Sequence, residues 1–117
     1  MKRILSLLAI TISTTFFLNA QESKKPAVVT EHITVNGVCG ECKERIEKAA
    51  YIPGVKRAEW DKNTKELTVS FRTSKTTLEA IETSIAAAGH DAGDIKASDS
   101  TYNNLPSCCA YKDGHDH

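Results

Sequence analysis

The sequence predicts an α+β sandwich: an antiparallel sheet with two helices on one face, in the order strand, helix, strand, strand, helix, strand. Three observations lead there. Apolar residues alternate at a period of two in residues 28–35 and 67–71. They recur every three or four residues in 42–50 and 78–88, as on one face of a helix. Glycine, proline or asparagine stands at most of the junctions between these segments.

The first strand puts Val29, Ile33 and Val35 toward one face and Thr30, His32 and Thr34 toward the other, so His32 is expected in solvent. Asn36, Gly37 and Gly40 break the alternation. A helix begins near Cys42, with Ile46, Ala49 and Ala50 inward and Lys43, Glu44, Glu47 and Lys48 outward, and Pro53 and Gly54 end it. A second strand runs from Val55 to about Asp61, with Ala58 and Trp60 two apart. The turn from Lys62 to Lys65 joins it as a hairpin to a third strand with Leu67, Val69 and Phe71 inward. The second helix carries Leu78, Ile81, Ile85 and Ala88, and Gly89 is placed to stop it. A short final strand would use Gly93, Ile95 and Ala97. This order is that of two interleaved crossover units in one sheet, the ferredoxin-like βαββαβ sandwich. The domain would occupy residues 28–97, after a linker over 21–27 and before a polar tail over 98–117.

With 117 residues the chain has room for one small domain, which excludes a large multi-site enzyme. Hydrophobic residues make up 40% and aromatics only 6%, so the core is small and aliphatic, and a bound ligand or crosslink would add needed stability. Fifteen basic residues balance fifteen acidic ones without a long Lys/Arg run, which removes the electrostatic footprint of a nucleic-acid or anionic-membrane binder. Lys2 and Arg3, the uncharged run from Ile4 to Leu18, and Ala20 read as a secretory signal over residues 1–20. The run is short and interrupted by Thr and Ser, so the mature form is not expected to span a membrane; an uncleaved anchor helix is the alternative. The expected location is exported, periplasmic or extracellular.

The four cysteines form two pairs, Cys39 with Cys42 and Cys108 with Cys109. An even count in an exported chain ordinarily suggests disulfides, but neither pair closes a loop long enough to restrict the unfolded chain, and adjacent cysteines have poor geometry for bonding to each other. A long-range crosslink between the pairs stays open, beside the idea that the thiols bind something. The first strand delivers the chain to an exposed loop that presents both sulfurs to solvent, and Cys42 enters the first turn of a helix. Both sulfurs then lie near unpaired backbone N–H groups and the positive end of the helix dipole, where thiolates are favoured. Two thiolates two residues apart can converge on one soft ion. Cu(I) and Hg(II) accept so few ligands, Zn(II) and Cd(II) are further candidates, and a closed structural zinc site would want four groups.

The loop Gly37-Val38-Cys39-Gly40-Glu41-Cys42, Ile46, the turn Ile52-Pro53-Gly54-Val55 and Ala88-Gly89-His90 together resemble the heavy-metal-associated domain family over about residues 28–97. The resemblance implies that Cys39 and Cys42 are metal ligands, and that the chain is a carrier rather than an enzyme. It would pass its ion by thiolate exchange to a metal transporter or metal-requiring protein, as a monomer or a metal-bridged dimer. Three features depart from the family pattern. Gly37-Val38 stands where Gly-Met-Thr is common, so Val38 is expected to pack in place of a buried methionine. His90 stands where Tyr or Lys is common, as a candidate third ligand or a solvent-facing side chain. The tail holds Cys108, Cys109, His115 and His117, candidates for a second metal site or for an arm that folds over the first. The bland reading of the tail is a disordered end with crosslinked or capped thiols.

A strand, Cys-x-x-Cys and a helix are also how thiol–disulfide oxidoreductases present their reactive pair. Against that reading, the chain has too few elements, no aromatic residue before Cys39 and no proline between the cysteines. A purely structural interaction module is a third class, for which an exposed reactive pair would be a liability.

Overall fold

The computed structural model describes residues 27–113. The expected signal segment and the candidate ligands His115 and His117 lie outside the described residues. Strand β1 (Val28–Thr34) leads to helix α1 (Gly40–Ala50), then to β2 (Val55–Trp60), β3 (Glu66–Arg72) and helix α2 (Leu78–Ala87). The strands form an antiparallel sheet in the order β1-β3-β2. Its register sets Ile33 opposite Leu67 and Val29 opposite Phe71 on the face toward the helices. His32 and Thr68 pair on the open face, as period-two alternation requires.

The hairpin turn is made by Asp61, whose carboxylate accepts from the N–H groups of Asn63 (2.7 Å) and Thr64 (3.1 Å). Lys65 completes it at φ +63°. Both helices bury the stripe their spacing dictates, Cys42, Ile46 and Ala50 on α1 and Ile81, Ile85 and Ala86 on α2. Thr77 caps α2 by accepting from the Ala80 N–H, and Ser84 Oγ ties α2 to α1 by donating to the Ala49 carbonyl at 2.6 Å. The core between sheet and helices contains Ile33, Val35, Leu67, Val69 and, as its largest member, Trp60. Trp60 Nε1 donates to the Val35 carbonyl at 2.9 Å, so the end of β2 is fastened to the chain leaving β1.

Two expectations are corrected. The final strand over Gly93, Ile95 and Ala97 does not extend. Ala92 makes single bridges to Val35 and to Ile95, and the Ala92–Ile95 pair exchanges two hydrogen bonds of 2.9 Å around a tight turn with Gly93 at φ +55°. A glycine in the left-handed region reverses the chain where an extended residue would have continued the ladder.

The tail, read as aperiodic, is folded through the described residues. Ser98 accepts from the Thr101 N–H and caps a short helix, α3 (Asp99–Asn103), and a 3-10 turn follows at Ser107–Cys109. Thr101 Oγ1 donates to the Ala86 carbonyl, and Leu105 lies against Gly89. A Cβ on Gly89 would stand 2.8 Å from both Leu105 Cδ2 and the Thr101 carbonyl, at a φ of +108°. Gly89 therefore both stops α2 and admits the returning chain. Tyr111 donates its hydroxyl proton to the Gly89 carbonyl (3.0 Å), accepts from the Asp91 N–H (3.1 Å) and packs edge-on against Tyr102. No helix of the described residues is long and apolar enough to cross a membrane.

Candidate metal centre

The centre starts at the junction of β1 and α1. Cys39 is the N-cap of α1, in extended backbone, and its carbonyl accepts the first helical hydrogen bond from Lys43 at 3.1 Å. Three residues on, Cys42 sits in the first turn, one helical repeat before Ile46, and so points its sulfur into the buried stripe. The two sulfurs are 3.3 Å apart. Gly37 makes room for this arrangement: a Cβ there would lie 3.0 Å from Cys42 Cβ and 3.1 Å from both Ile46 Cδ1 and Trp60 Cη2. Val38 packs against the core as expected.

Cys42 is fully buried, whereas the loop reading placed both sulfurs in solvent. Its helical position turns it inward, and the C-terminal segment lies over the pair. Cys109, also fully buried, brings its sulfur to 3.3 Å from that of Cys39. Cys108 Sγ is 3.9 Å from Cys109 Sγ and donates to a Glu41 carboxylate oxygen at 3.0 Å. The sulfurs of Cys39, Cys108 and Cys109 lie within 4.8 Å of one another. All four cysteines are free thiols. Arg45 Nη1 donates to Cys109 Sγ at 3.2 Å, placing a permanent positive charge at the edge of the cluster.

Cys39, Cys108 and Cys109 differ in acidity. Burial opposes ionisation of Cys39, but the nearby Cys42 backbone N–H and S–H groups donated by Cys109, Cys42 and Cys108 outweigh it, and its pKa falls to about 7. Cys108 rises to about 11, chiefly because its proton is held by Glu41. Cys109 is pushed up further by burial and by its thiol neighbours Cys42 and Cys39, against the pull of Arg45. At neutral pH, then, Cys39 is a better nucleophile than Cys108 or Cys109. Its alkylation by iodoacetamide, followed by peptide mass spectrometry, is expected to rise through a midpoint near pH 7, because the rate follows the thiolate fraction. Cys108 should remain unmodified until well above pH 9; equal labelling of both at pH 7.5 would contradict this assignment.

His90 does not face solvent. It is fully buried, Nδ1 donates to the Asn36 carbonyl at 2.7 Å, and its ring stacks on Tyr111 with centroids 5.6 Å apart. Since a carbonyl only accepts, Nδ1 carries the proton and Nε2 keeps a lone pair that has no partner among the described residues. Burial lowers its pKa, the Asn36 carbonyl opposing, and the imidazole is neutral. His32 is exposed beside Thr68 and Glu66, far from this chemistry. Arg45 and Glu41 are the polar neighbours that sequence reasoning missed. Their signal was position, since both flank Cys42 on the first turns of α1.

A search among functionally described proteins returns no match to the chain. Solved structures do resemble it. A CopZ metallochaperone shares 29% identity and a TM-score of 0.53, covering 55% of this chain and 98% of its own. Oxidised MerP from Ralstonia metallidurans CH34 shares 26% at a TM-score of 0.54, covering 57% and 96%. A copper-binding domain from HMA7, a P-type ATPase, shares 26% at 0.52, covering 54% and 88%. The ferredoxin-like arrangement expected from the order of elements is thus the fold of the chain, with its fourth strand reduced to a bridge. The profile of the heavy-metal-associated domain matches residues 32–91, a span that includes both Cys39 and Cys42, and the chain belongs to the heavy-metal-associated domain family.

Proposed function

We propose that the protein is an exported carrier that binds one soft metal ion, Cu(I) or Hg(II), through Cys39 and Cys42 and passes it to a metal transporter or metal-requiring protein. The observation that carries this reading is the pair of sulfurs 3.3 Å apart at the N-terminus of α1, one of them a thiol whose pKa is lowered to about 7. A thiolate that is already ionised at neutral pH captures a thiophilic cation without first losing a proton to solvent. Release follows the same chemistry in reverse. A partner thiolate bonds to the ion as one of these sulfurs leaves, so the coordination number rises and falls by one and no free ion is formed. Export is supported by the charge and apolar pattern of residues 1–20. The carrier reading is further supported by the metallochaperone and the ATPase copper-binding domain among the structural relatives.

The test is an anaerobic competition titration of the reduced protein against a chromophoric Cu(I) chelator, repeated with Hg(II). The expected result is one ion retained per chain and rapid transfer to an added dithiol. Failure to hold either ion against the chelator would overturn the proposal. Turnover in an insulin-reduction assay by the metal-free protein would favour the oxidoreductase reading.

A further inference from the structure

We propose that the C-terminal segment supplies Cys108 and Cys109 as ligands, so that the ion is held by three thiolates, Cys39, Cys108 and Cys109, in a closed site. The inference rests on the reading of Cys39 as a metal ligand and adds a coordination state that the Cys39–Cys42 pair alone does not provide.

The geometry favours three ligands. An ion bonded to three coplanar thiolates at about 2.3 Å requires sulfurs about 4.0 Å apart, whereas a linear two-ligand site requires about 4.6 Å. Cys39 to Cys109 measures 3.3 Å, Cys109 to Cys108 measures 3.9 Å, and all three sulfurs fall within 4.8 Å of one another. Cys42 and Cys109 both lie 3.3 Å from Cys39, so the sulfurs must part by about 0.7 Å for three coplanar ligands and by about 1.3 Å for a linear pair.

Packing and charge point the same way. Cys109 is fully buried at the end of a segment docked by its own set of contacts, the Tyr111 hydroxyl on Gly89 and Asp91, Thr101 on Ala86 and Leu105 on Gly89. The segment is therefore held in place before any ion arrives, and the third ligand is ordered at little further entropic cost. Three thiolates around a monovalent or divalent cation leave a net negative charge in a partly buried place. The Arg45 guanidinium, 3.2 Å from Cys109 Sγ, is the cation that offsets it. On closure the Cys108 and Cys109 sulfur–metal bonds form and the Cys42–metal bond breaks with its electron pair returning to Cys42, which takes up one of the two released thiol protons while the other leaves to solvent. Cys39 stays bonded throughout, so the ion moves between a two-sulfur and a three-sulfur position on one shared ligand. No oxidant or reductant is consumed.

The experiment uses Cu(I) with the reduced full chain. X-ray absorption at the copper edge counts sulfur neighbours, and chelator competition gives the affinity, for the wild type and for Cys108→Ser/Cys109→Ser. Three sulfurs per copper are expected in the wild type and two in the variant, with affinity lower by on the order of a hundredfold. Circular dichroism shows whether the variant folds. Should loss of the buried Cys109 disturb folding, Cys108→Ser alone, at a half-exposed position, is expected to lose one sulfur neighbour. Two sulfurs per copper in the wild type, or an unchanged count in a folded variant, would overturn this inference while leaving the Cys39–Cys42 carrier intact. A wild-type chain that binds no copper would instead sink the carrier reading itself.

Discussion

Added to Cys108→Ser/Cys109→Ser, the pair Cys39→Ser/Cys42→Ser is expected to lower Cu(I) affinity by on the order of a further 10⁴-fold, the largest effect of any conservative change in the chain. Sulfur sites that hold a divalent ion with four ligands are worth roughly 10–16 kcal/mol, or about 3 kcal/mol for each thiolate. Removing two such groups costs about 6 kcal/mol, and each 1.4 kcal/mol is a factor of ten. Serine keeps the size and leaves a neutral hydroxyl, which soft ions ligate poorly at neutral pH. The single variants should not be equal. Cys39 has a sulfur neighbour at 3.3 Å on each side, Cys42 and Cys109, and it is the thiol that ionises near pH 7. Cys39→Ser should therefore cost more than Cys42→Ser. Competition titration of the three proteins at pH 7.5 measures this, and a double variant with wild-type affinity for every soft ion would remove Cys39 and Cys42 from the metal site.

Trp60→Ala is expected to destabilise the fold by about 3–5 kcal/mol, a large part of the roughly 5–15 kcal/mol available to a domain. The side chain is 1% exposed and is the largest fully buried group in the core. It donates to Val35 at 2.9 Å and lies under Gly37, so it supports the loop from below. Deleting it leaves a cavity beneath the sulfurs and an unpaired Val35 carbonyl. Thermal unfolding by circular dichroism should show a midpoint lowered by more than about 10 °C. Trp60→Phe, which keeps most of the apolar area and loses only the N–H, should fall between the two. If Trp60→Ala melted within a few degrees of the wild type, the account of the core as a platform for the loop would fail.

How much of this was legible in the sequence depended on whether the signal was local. Val29, Ile33 and Val35 alternate because a strand repeats every two residues, and Ile81 and Ile85 recur because a helix turn returns them to one side. Those elements could be read directly. The Cys-x-x-Cys spacing likewise fixed Cys39 and Cys42 at a helix start, although the inward turn of Cys42 follows from its sharing a face with Ile46, which the loop reading overlooked.

The tail was opaque for a physical reason. Tyr102, Leu105, Cys109 and Tyr111 follow no helical or strand period, because each is held by a partner some ten to seventy positions away in the chain. Ser98 followed by Asp99 was the one local hint, an N-cap with an acidic first turn. His90 was read as a third ligand or a solvent-facing side chain, and its burial against the Asn36 carbonyl and the Tyr111 ring removes the second of these. Gly93, expected within a strand, was free to adopt the backbone that ends one.

Because Cys108 and Cys109 are tethered to the domain whose sulfurs they approach, they compete for an ion at an effective concentration in the millimolar range or above, whatever the surroundings contain. Small free thiols must match that internal supply merely to draw even, and so should be poor thieves. For a carrier of this kind, a recipient that lifts the C-terminal segment would remove the internal competitor in the same act, so that delivery would depend on the right handshake rather than on abundance.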